Sequence, residues 1–518
     1  MLETPEHLFQ PPLYCYNKNQ WTPDFNLALN NFNNEITLDL SAVLSFISFG
    51  YICNNRTLFR EISRKPWLSM VDKTGSAQLL EIPPHNFYSS DYSFLSRKLY
   101  ELLIDEAKTA IEGVENIYVL LSGGLDSRIV AGILKHLQSV GEIKSDITAL
   151  TWGLEDSRDV VYARHIAKKL GIGWQHIPLT HTTLLNNIHT VVDELGLAHS
   201  PELLHSMGWL NKNLPEKSLI FAGSFGDSIG RGEFGGLHLL QLKFPLPNDK
   251  FNLLSESIKN TYYPVLLEDI NSLFKRSPGA LPYMNYEHFM QGYRMNGGLC
   301  HALSLVKGGK HVYQMFTAPD VYRFIWSLHP SIRNDNIYIS LLKNYLPDIA
   351  DIPWARINRA PGGETDGRIS GLRKNYHDYT KWTKNELRDY LEKTIDPDWF
   401  GSLRIFNPNG IKSLKRLVQT SNARVGRIND IWLWLAGFRV FIEKLESSGK
   451  KIAIPEIGYL DNPPKNVDKT DFYSNSTFLL KGNSMVNETG RRLRNTFRKI
   501  ARERLQKKFV KLYPPVKI

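Results

Sequence analysis

Six consecutive residues, Ser122-Gly-Gly-Leu-Asp-Ser127, put two glycines, two hydroxyls and one carboxylate into a single short turn. Glycines let backbone N–H groups approach an anion closely, and hydroxyls at a helix start add donors where the helix dipole favours negative charge. Such a turn suits a diphosphate. Asp126 can only accept hydrogen bonds and would repel phosphate unless a hard cation stood between them, which points to Mg2+ at that carboxylate. The bland alternative is a serine-rich Gly-Gly turn with no ligand. The phosphoryl-transfer loop Gly-x-x-x-x-Gly-Lys-[Ser/Thr] occurs nowhere in the chain. Gly230-Arg-Gly-Glu-Phe-Gly235 has the formal spacing of a dinucleotide fingerprint. It begins eight residues past Ala222 instead of directly after a strand, and it runs into more glycine, so nicotinamide is not expected.

The elements that must position these residues are legible on either side. An apolar run at 117–121 reads as a buried strand and 127–137 as a helix; a second strand at 146–152 and a second helix at 159–170 follow. Further strands are expected at 174–179 and 218–222. Strands separated by helices need crossover connections, hence a parallel sheet covered on both faces, with ligands at the C-terminal strand ends. Before this unit, Leu95, Leu99, Leu102, Leu103, Ala107 and Ile111 recur at helical spacing over 93–113. The first hundred residues mix short β-type runs with turn signals. After about Gly236 strand signals thin out and helical spacing takes over, as in 320–328 and 431–445. The fold class is α/β: a parallel-sheet domain, a mainly helical C-terminal half and a short, β-rich N-terminal domain. The boundaries are 1–92, 93–236, 237–478 and 479–518.

At 518 residues, with 42% hydrophobic and 22% charged residues, the chain has ordinary globular usage. No apolar run approaches the roughly 18–20 residues that cross a bilayer, and the N-terminus lacks a basic segment followed by an apolar stretch; a cytoplasmic location is expected. Cys15, Cys53 and Cys300 are too few and scattered for a disulfide framework and read as free thiols. The net charge is +11, yet residues 480–518 alone hold twelve Lys/Arg against two Glu. The excess is a C-terminal feature, so a basic groove for nucleic acid is not implied. Over 490–511, Leu493, Phe497, Ile500, Ala501, Leu505 and Phe509 share one helical face with Lys and Arg on the rest. This helix packs on the domain with a solvated basic face, or it meets an anionic membrane surface or an acidic partner.

The motif Ser122-Gly-Gly-Leu-Asp-Ser127 resembles the PP-loop of the N-type ATP pyrophosphatases, and its surroundings resemble the synthetase domain of the asparagine synthetase family. Leu150-Thr-Trp-Gly-Leu154 and the helix opened by Asp159 are similar to that family's second strand and helix. Ala222-Gly-Ser-Phe-Gly-Asp-Ser228 resembles its glycine-rich turn with a second magnesium aspartate. Pro319-Asp320, 338–343 and Leu346-Pro347 resemble its helical half, so the likeness runs over roughly residues 30–360. The resemblance implies ATP and Mg2+ as cofactors. A substrate carboxylate attacks the α-phosphorus, diphosphate leaves, and ammonia or a substrate amine attacks the acyl adenylate to give an amide and AMP. It implies an ATP site of Leu121, Ser122, Gly123, Gly124, Leu125, Asp126, Ser127, Trp152, Ala222 and Gly223, with magnesium at Asp126 and Asp227. The acyl substrate is a carboxylate-bearing small molecule or peptide. Asp159, at a helix start, reads first as an N-cap.

Three departures qualify the likeness. The family's glutamine-dependent members expose an N-terminal cysteine, whereas this chain begins Met1-Leu2, so glutamine hydrolysis is not expected and the N-terminal region reads as a truncated, structural remnant. Phe225 and Ser228 stand where asparagine synthetase carries acidic residues, which tilts the expectation away from aspartate and towards a specialised reaction such as intramolecular amide closure. A regulatory protein that keeps nucleotide without chemistry is the other alternative. The family's late catalytic lysine has no clear match, and Arg356 and Arg359 are the nearest catalytic candidates.

Overall fold

A computed structural model describes residues 7–17, 19–32, 35–234, 239, 245–363, 369–420, 427–455 and 503–518. The chain enters the central layer through α1 (Tyr92–Ile111), which Asp91 caps by accepting from the N–H of Phe94. Leu95, Leu99, Leu103 and Ala107 make its buried stripe at the expected four-residue spacing.

Five strands then pair in parallel: β1 (Asn116–Leu120), β2 (Ile147–Gly153), β3 (Gly173–Pro178), β4 (Ser218–Ala222) and β5 (His311–Gln314). Their spatial order is β3-β2-β1-β4-β5. Leu120 pairs with both Leu150 and Ala222, and Ala222 pairs with Gln314, so the C-terminal ends of the inner strands lie level. The helices α2 (Asp126–Ser139) and α3 (Arg158–Leu170) supply the first two crossovers. From β1 the chain steps outward to β2 and β3, then returns to lay β4 on the other side of β1. The connections leaving β1 and β4 therefore diverge, and a crevice opens between their C-terminal ends where open α/β sheets take their ligands.

The parallel sheet expected from sequence is present, with strand ends within a residue of those read. β5 lies in the stretch where strand signals thin out. It has only four residues and an alternating burial pattern, so it offers none of the continuous apolar run that marks β4, where all five residues are buried.

The second half is mainly helical. Its longest buried element, Ile428–Ser447, is apolar on nearly every face from Ile431 to Phe438, as befits a helix enclosed by others. Near the N-terminus, Tyr14–Tyr16 pairs antiparallel with Gln20–Thr22 and with Ser63–Arg64. The apolar run that follows Asp39 is helical, Leu40–Phe49: the Asp39 carboxylate accepts from Ser41 and Ala42 N–H, and Gly50 ends the helix at φ 85°. Phe46 stacks on Trp434 at 4.5 Å, and Glu35–Thr37 pairs in parallel with Lys451–Ala453, so the N-terminal region and the helix Ile428–Ser447 share one core.

Of the C-terminal basic segment, 503–512 is helical. Phe509 is fully buried against Tyr283 and Phe87, and Val516–Lys517 pairs with Tyr88–Ser89. Leu493, Phe497, Ile500 and Ala501 lie outside the described residues. No helix among the described residues is long and apolar enough to cross a membrane. Cys53 and Cys300 are buried and Cys15 half-buried, all three as free thiols.

Candidate functional site

The chain leaves β1 at Leu121, whose N–H donates to the Leu150 carbonyl at 2.9 Å and whose carbonyl accepts from Thr151 Oγ1 at 2.8 Å. Both bonds fix the turn to β2. Within it, Ser127 Oγ accepts from the Ser122 N–H at 3.1 Å and meets Ser122 Oγ at 3.0 Å, while Ser122 Oγ accepts from the Gly124 N–H at 3.2 Å. The two hydroxyls, expected to face an anion, hold the turn closed on itself. Asp159 also enters here. Ser157, not Asp159, caps α3 by accepting from Val160 N–H, and the Asp159 carboxylate takes a hydrogen bond from the Gly123 N–H instead. Burial raises this carboxyl to about 6, and the Gly123 bond holds it back.

With the first two glycine amides engaged, the free donors are those at the start of α2. This 14-residue helix opens at Leu125 with no side-chain cap. Its first turn therefore turns N–H groups that no side chain caps, and the positive end of a helix dipole, towards the crevice.

The turn after β4 lies directly on this helix start. A Cβ on Gly223 would fall 2.4 Å from the Ser127 nitrogen, and one on Gly226 2.7 Å from Asp126 Oδ1, so only glycine allows the approach. Ala222 is fully buried beneath it. The short helix α4 (Gly226–Gly230) carries Asp227 in its first turn, and the negative field of Asp227 reaches both Asp126 and Glu233. Burial first, then Asp227, raises Asp126 to about 7 against the opposing pull of Arg231. Glu233 is raised for the same two reasons in the same order.

Asp126 Oδ1 is buried without a protein donor. Two carboxylates in one another's field, one oxygen of them unpartnered, fit a hard divalent cation such as Mg2+, which takes one or two protein carboxylates and completes its shell with phosphate and water. No cluster of three or more His, Cys, Asp or Glu suited to a metal exists among the described residues.

Trp152, at the end of β2, is half-buried, with its ring 6.0 Å from that of His205. His205 in turn contacts the hydroxyls of Tyr376 and Tyr379, which walls this side of the crevice. On the opposite wall the segment 354–359 folds back on itself, Trp354 N–H donating to the Arg359 carbonyl at 2.8 Å, and Ala355 N–H donates to the Gly123 carbonyl at 3.0 Å. Arg128, fully buried, ties the same segment down by donating to the carbonyls of Ile349, Ile352 and Pro353. Arg356 and Arg359 are thus carried to the edge of the turn but remain exposed. Arg356 lies over Trp354 at 5.7 Å and adds to the positive field at Glu233.

Phe225 and Ser228 do not face the crevice. Phe225 sits at φ 67° and packs on Phe9 at 4.5 Å; Ser228 is fully buried, its hydroxyl donating to the Phe225 carbonyl at 3.1 Å. Residues that the sequence reading missed stand in the crevice instead. Arg231 bonds Asp126 at 3.0 Å and Asp335 at 2.9 Å, and Tyr338 donates to the Gly226 carbonyl at 2.9 Å. A cation four residues after Asp227 was the one local signal for Arg231; Asp335 had none, and Tyr338 entered only as the first residue of the 338–343 stretch likened to the family's helical half.

Residues 98–207 match the asparagine synthase family model. The asparagine synthetase [glutamine-hydrolyzing] of Gallus gallus is 26% identical over 173 residues, 32% of this chain and 30% of that protein. The match thus spans under a third of that relative's length. Among solved structures, an NMN synthetase from Francisella tularensis covers 46% of this chain and 94% of its own at 14% identity and a TM-score of 0.20. The matched segment contains β1, the Ser122–Ser127 turn, β2 and α3, and it is over that segment that the chain is similar to the asparagine synthase family.

Proposed function

We propose that this chain is an ATP-dependent amide ligase that cuts ATP between its α and β phosphates. The observation that supports this best is the meeting of the uncapped start of α2 with Asp126 and the Asp227 turn, at the crevice between β1 and β4. A substrate carboxylate oxygen attacks the α-phosphorus as the bond to the β-phosphate breaks, and diphosphate leaves. Ammonia or a substrate amine then attacks the acyl carbon, AMP leaves, and an amide remains.

The departing diphosphate gathers negative charge, and the N–H groups of the first turn of α2 are fixed donors aimed at it. Mg2+, when bound, would neutralise part of that charge, with Asp126 and Asp227 as its protein ligands. Trp152, Ala222 and Gly223 flank the nucleoside side, and Asp159 keeps Gly123 and the turn in place. The attacking amine must lose a proton.

The test is product analysis. The chain with ATP, Mg2+, a panel of carboxylic acids and an amine is expected to release diphosphate and AMP, and Asp126→Asn to reduce that release by about a hundredfold or more. ADP and phosphate as the only products would refute the reading.

A further inference from the structure

Arg231 binds more of the crevice than any motif foretells. Its side chain is only 8% exposed; one terminal nitrogen donates to Asp126 Oδ2 at 3.0 Å and the other to Asp335 Oδ1 at 2.9 Å. The guanidinium is flanked by the rings of Trp354 and Tyr338, 5.4 and 5.8 Å from their centroids. Two buried atoms at this contact have no protein partner, the Nε of Arg231 and the Oδ1 of Asp126. Leaving such atoms unpaired is costly, and the two ask for opposite things: the donor for an anion, the oxygen for a cation. A diphosphate accompanied by a divalent cation answers both at once.

We propose that Arg231 is a transferable counter-ion of this site: it neutralises Asp126 until a diphosphate group arrives, then passes to the phosphate oxygens and releases Asp126 to the cation. This rests on the ligase reading above and adds how the site couples nucleotide to metal. A guanidinium suits the exchange because its planar fork bonds phosphate as well as carboxylate. Asp335, 42% exposed in the first turn of α5 (Asp335–Tyr345), can keep one end of the fork while the other swings. Trp354 lies beside Arg231 and precedes Ala355, which is bonded to Gly123, so the swing runs along the wall of the Ser122–Ser127 turn. Arg231 and a divalent cation are both positive, and each competes for the same carboxylate. Metal should therefore bind weakly alone and tightly with diphosphate.

The full-length chain is compared with Arg231→Met and Arg231→Lys, using calorimetry with inorganic diphosphate and paramagnetic resonance with Mn2+. Wild type is expected to bind Mn2+ about tenfold more tightly when diphosphate is present. In Arg231→Met, diphosphate should weaken by about tenfold or more, Mn2+ alone should tighten, and the coupling between them should vanish. Arg231→Lys keeps the charge without the fork and is expected to fall between the two; it decides the matter if the methionine variant does not fold. Folded variants that bind both ligands as wild type does would overturn the proposal while leaving the ligase reading standing. A wild-type chain that binds neither ATP nor diphosphate would overturn both.

Discussion

Replacing Gly223 by alanine tests the contact on which the crevice depends. The added Cβ would lie 2.4 Å from the Ser127 nitrogen and 2.6 Å from the Asp126 carbonyl carbon, whereas ordinary contact begins at 3.4 Å. Backbone must yield by 3.4 − 2.4 = 1.0 Å. Neither side yields freely: β4 is buried along its whole length, and Ser127 is held by the Ser122 N–H. Overpacking against fixed atoms costs about 1–3 kcal/mol, and a displacement of about 1 Å in a positioned group lowers rate about a hundredfold. Urea unfolding should show the first effect, and diphosphate release from ATP the second. Gly208→Ala is the control, since it lies in the helix Met207–Asn213 with open space around it and should gain up to about 1 kcal/mol. An unchanged urea midpoint and unchanged diphosphate release in Gly223→Ala would show that the two turns are not in the contact described.

Two further outcomes concern the scaffold. Arg333 and Glu287 form an ion pair with side chains 1% and 0% exposed, and Arg333 also donates to the Ile229 carbonyl at the end of α4. Arg333→Met should cost about 3–5 kcal/mol in urea unfolding, because Glu287 is left charged and buried, and adding Glu287→Gln should restore part of it. Acid should also destabilise the chain through histidines held neutral: burial depresses His199 to about 4 and His288 to about 3. A depressed value means the unfolded chain binds the proton first. The stability is present above the unfolded value near 6.5 and lost as pH falls towards 4 and 3, about 2 kcal/mol per histidine by pH 5. His288→Leu should shrink the difference in unfolding free energy between pH 7 and pH 5 by about that amount; an unchanged difference would refute the assignment.

The Ser122–Ser127 turn was legible because its chemistry is contiguous: strand, glycines, carboxylate and helix start follow one another without a gap. Gly223 and Asp227 were legible for the same reason, one turn at a time. What could not be read is how the turns meet. Arg231 finds Asp126 across 105 residues and Asp335 across 104, and no spacing rule reaches that far. Asp159 shows a subtler limit. Ser157 and Asp159 are both capping residues by type, and only the fold of β1 beside α3 decides that the serine caps while the aspartate takes Gly123 N–H. The helix Leu40–Phe49 lies in the stretch read only as short β-type runs and turns; it is buried from Leu40 to Ile47, so no solvent-facing polar stripe marks its period.

The burial of Phe225 and Ser228 changes what those positions mean. A left-handed φ of 67° at a bulky residue is strained, and here it is offset by packing on Phe9 and by the Ser228 hydroxyl on the Phe225 carbonyl. Their role is to shape the turn that presents Asp227. Phe225 is 7% exposed and Ser228 fully buried, so neither side chain is open to solvent in the crevice. The absence of acids at 225 and 228 therefore does not by itself exclude an amino-acid substrate.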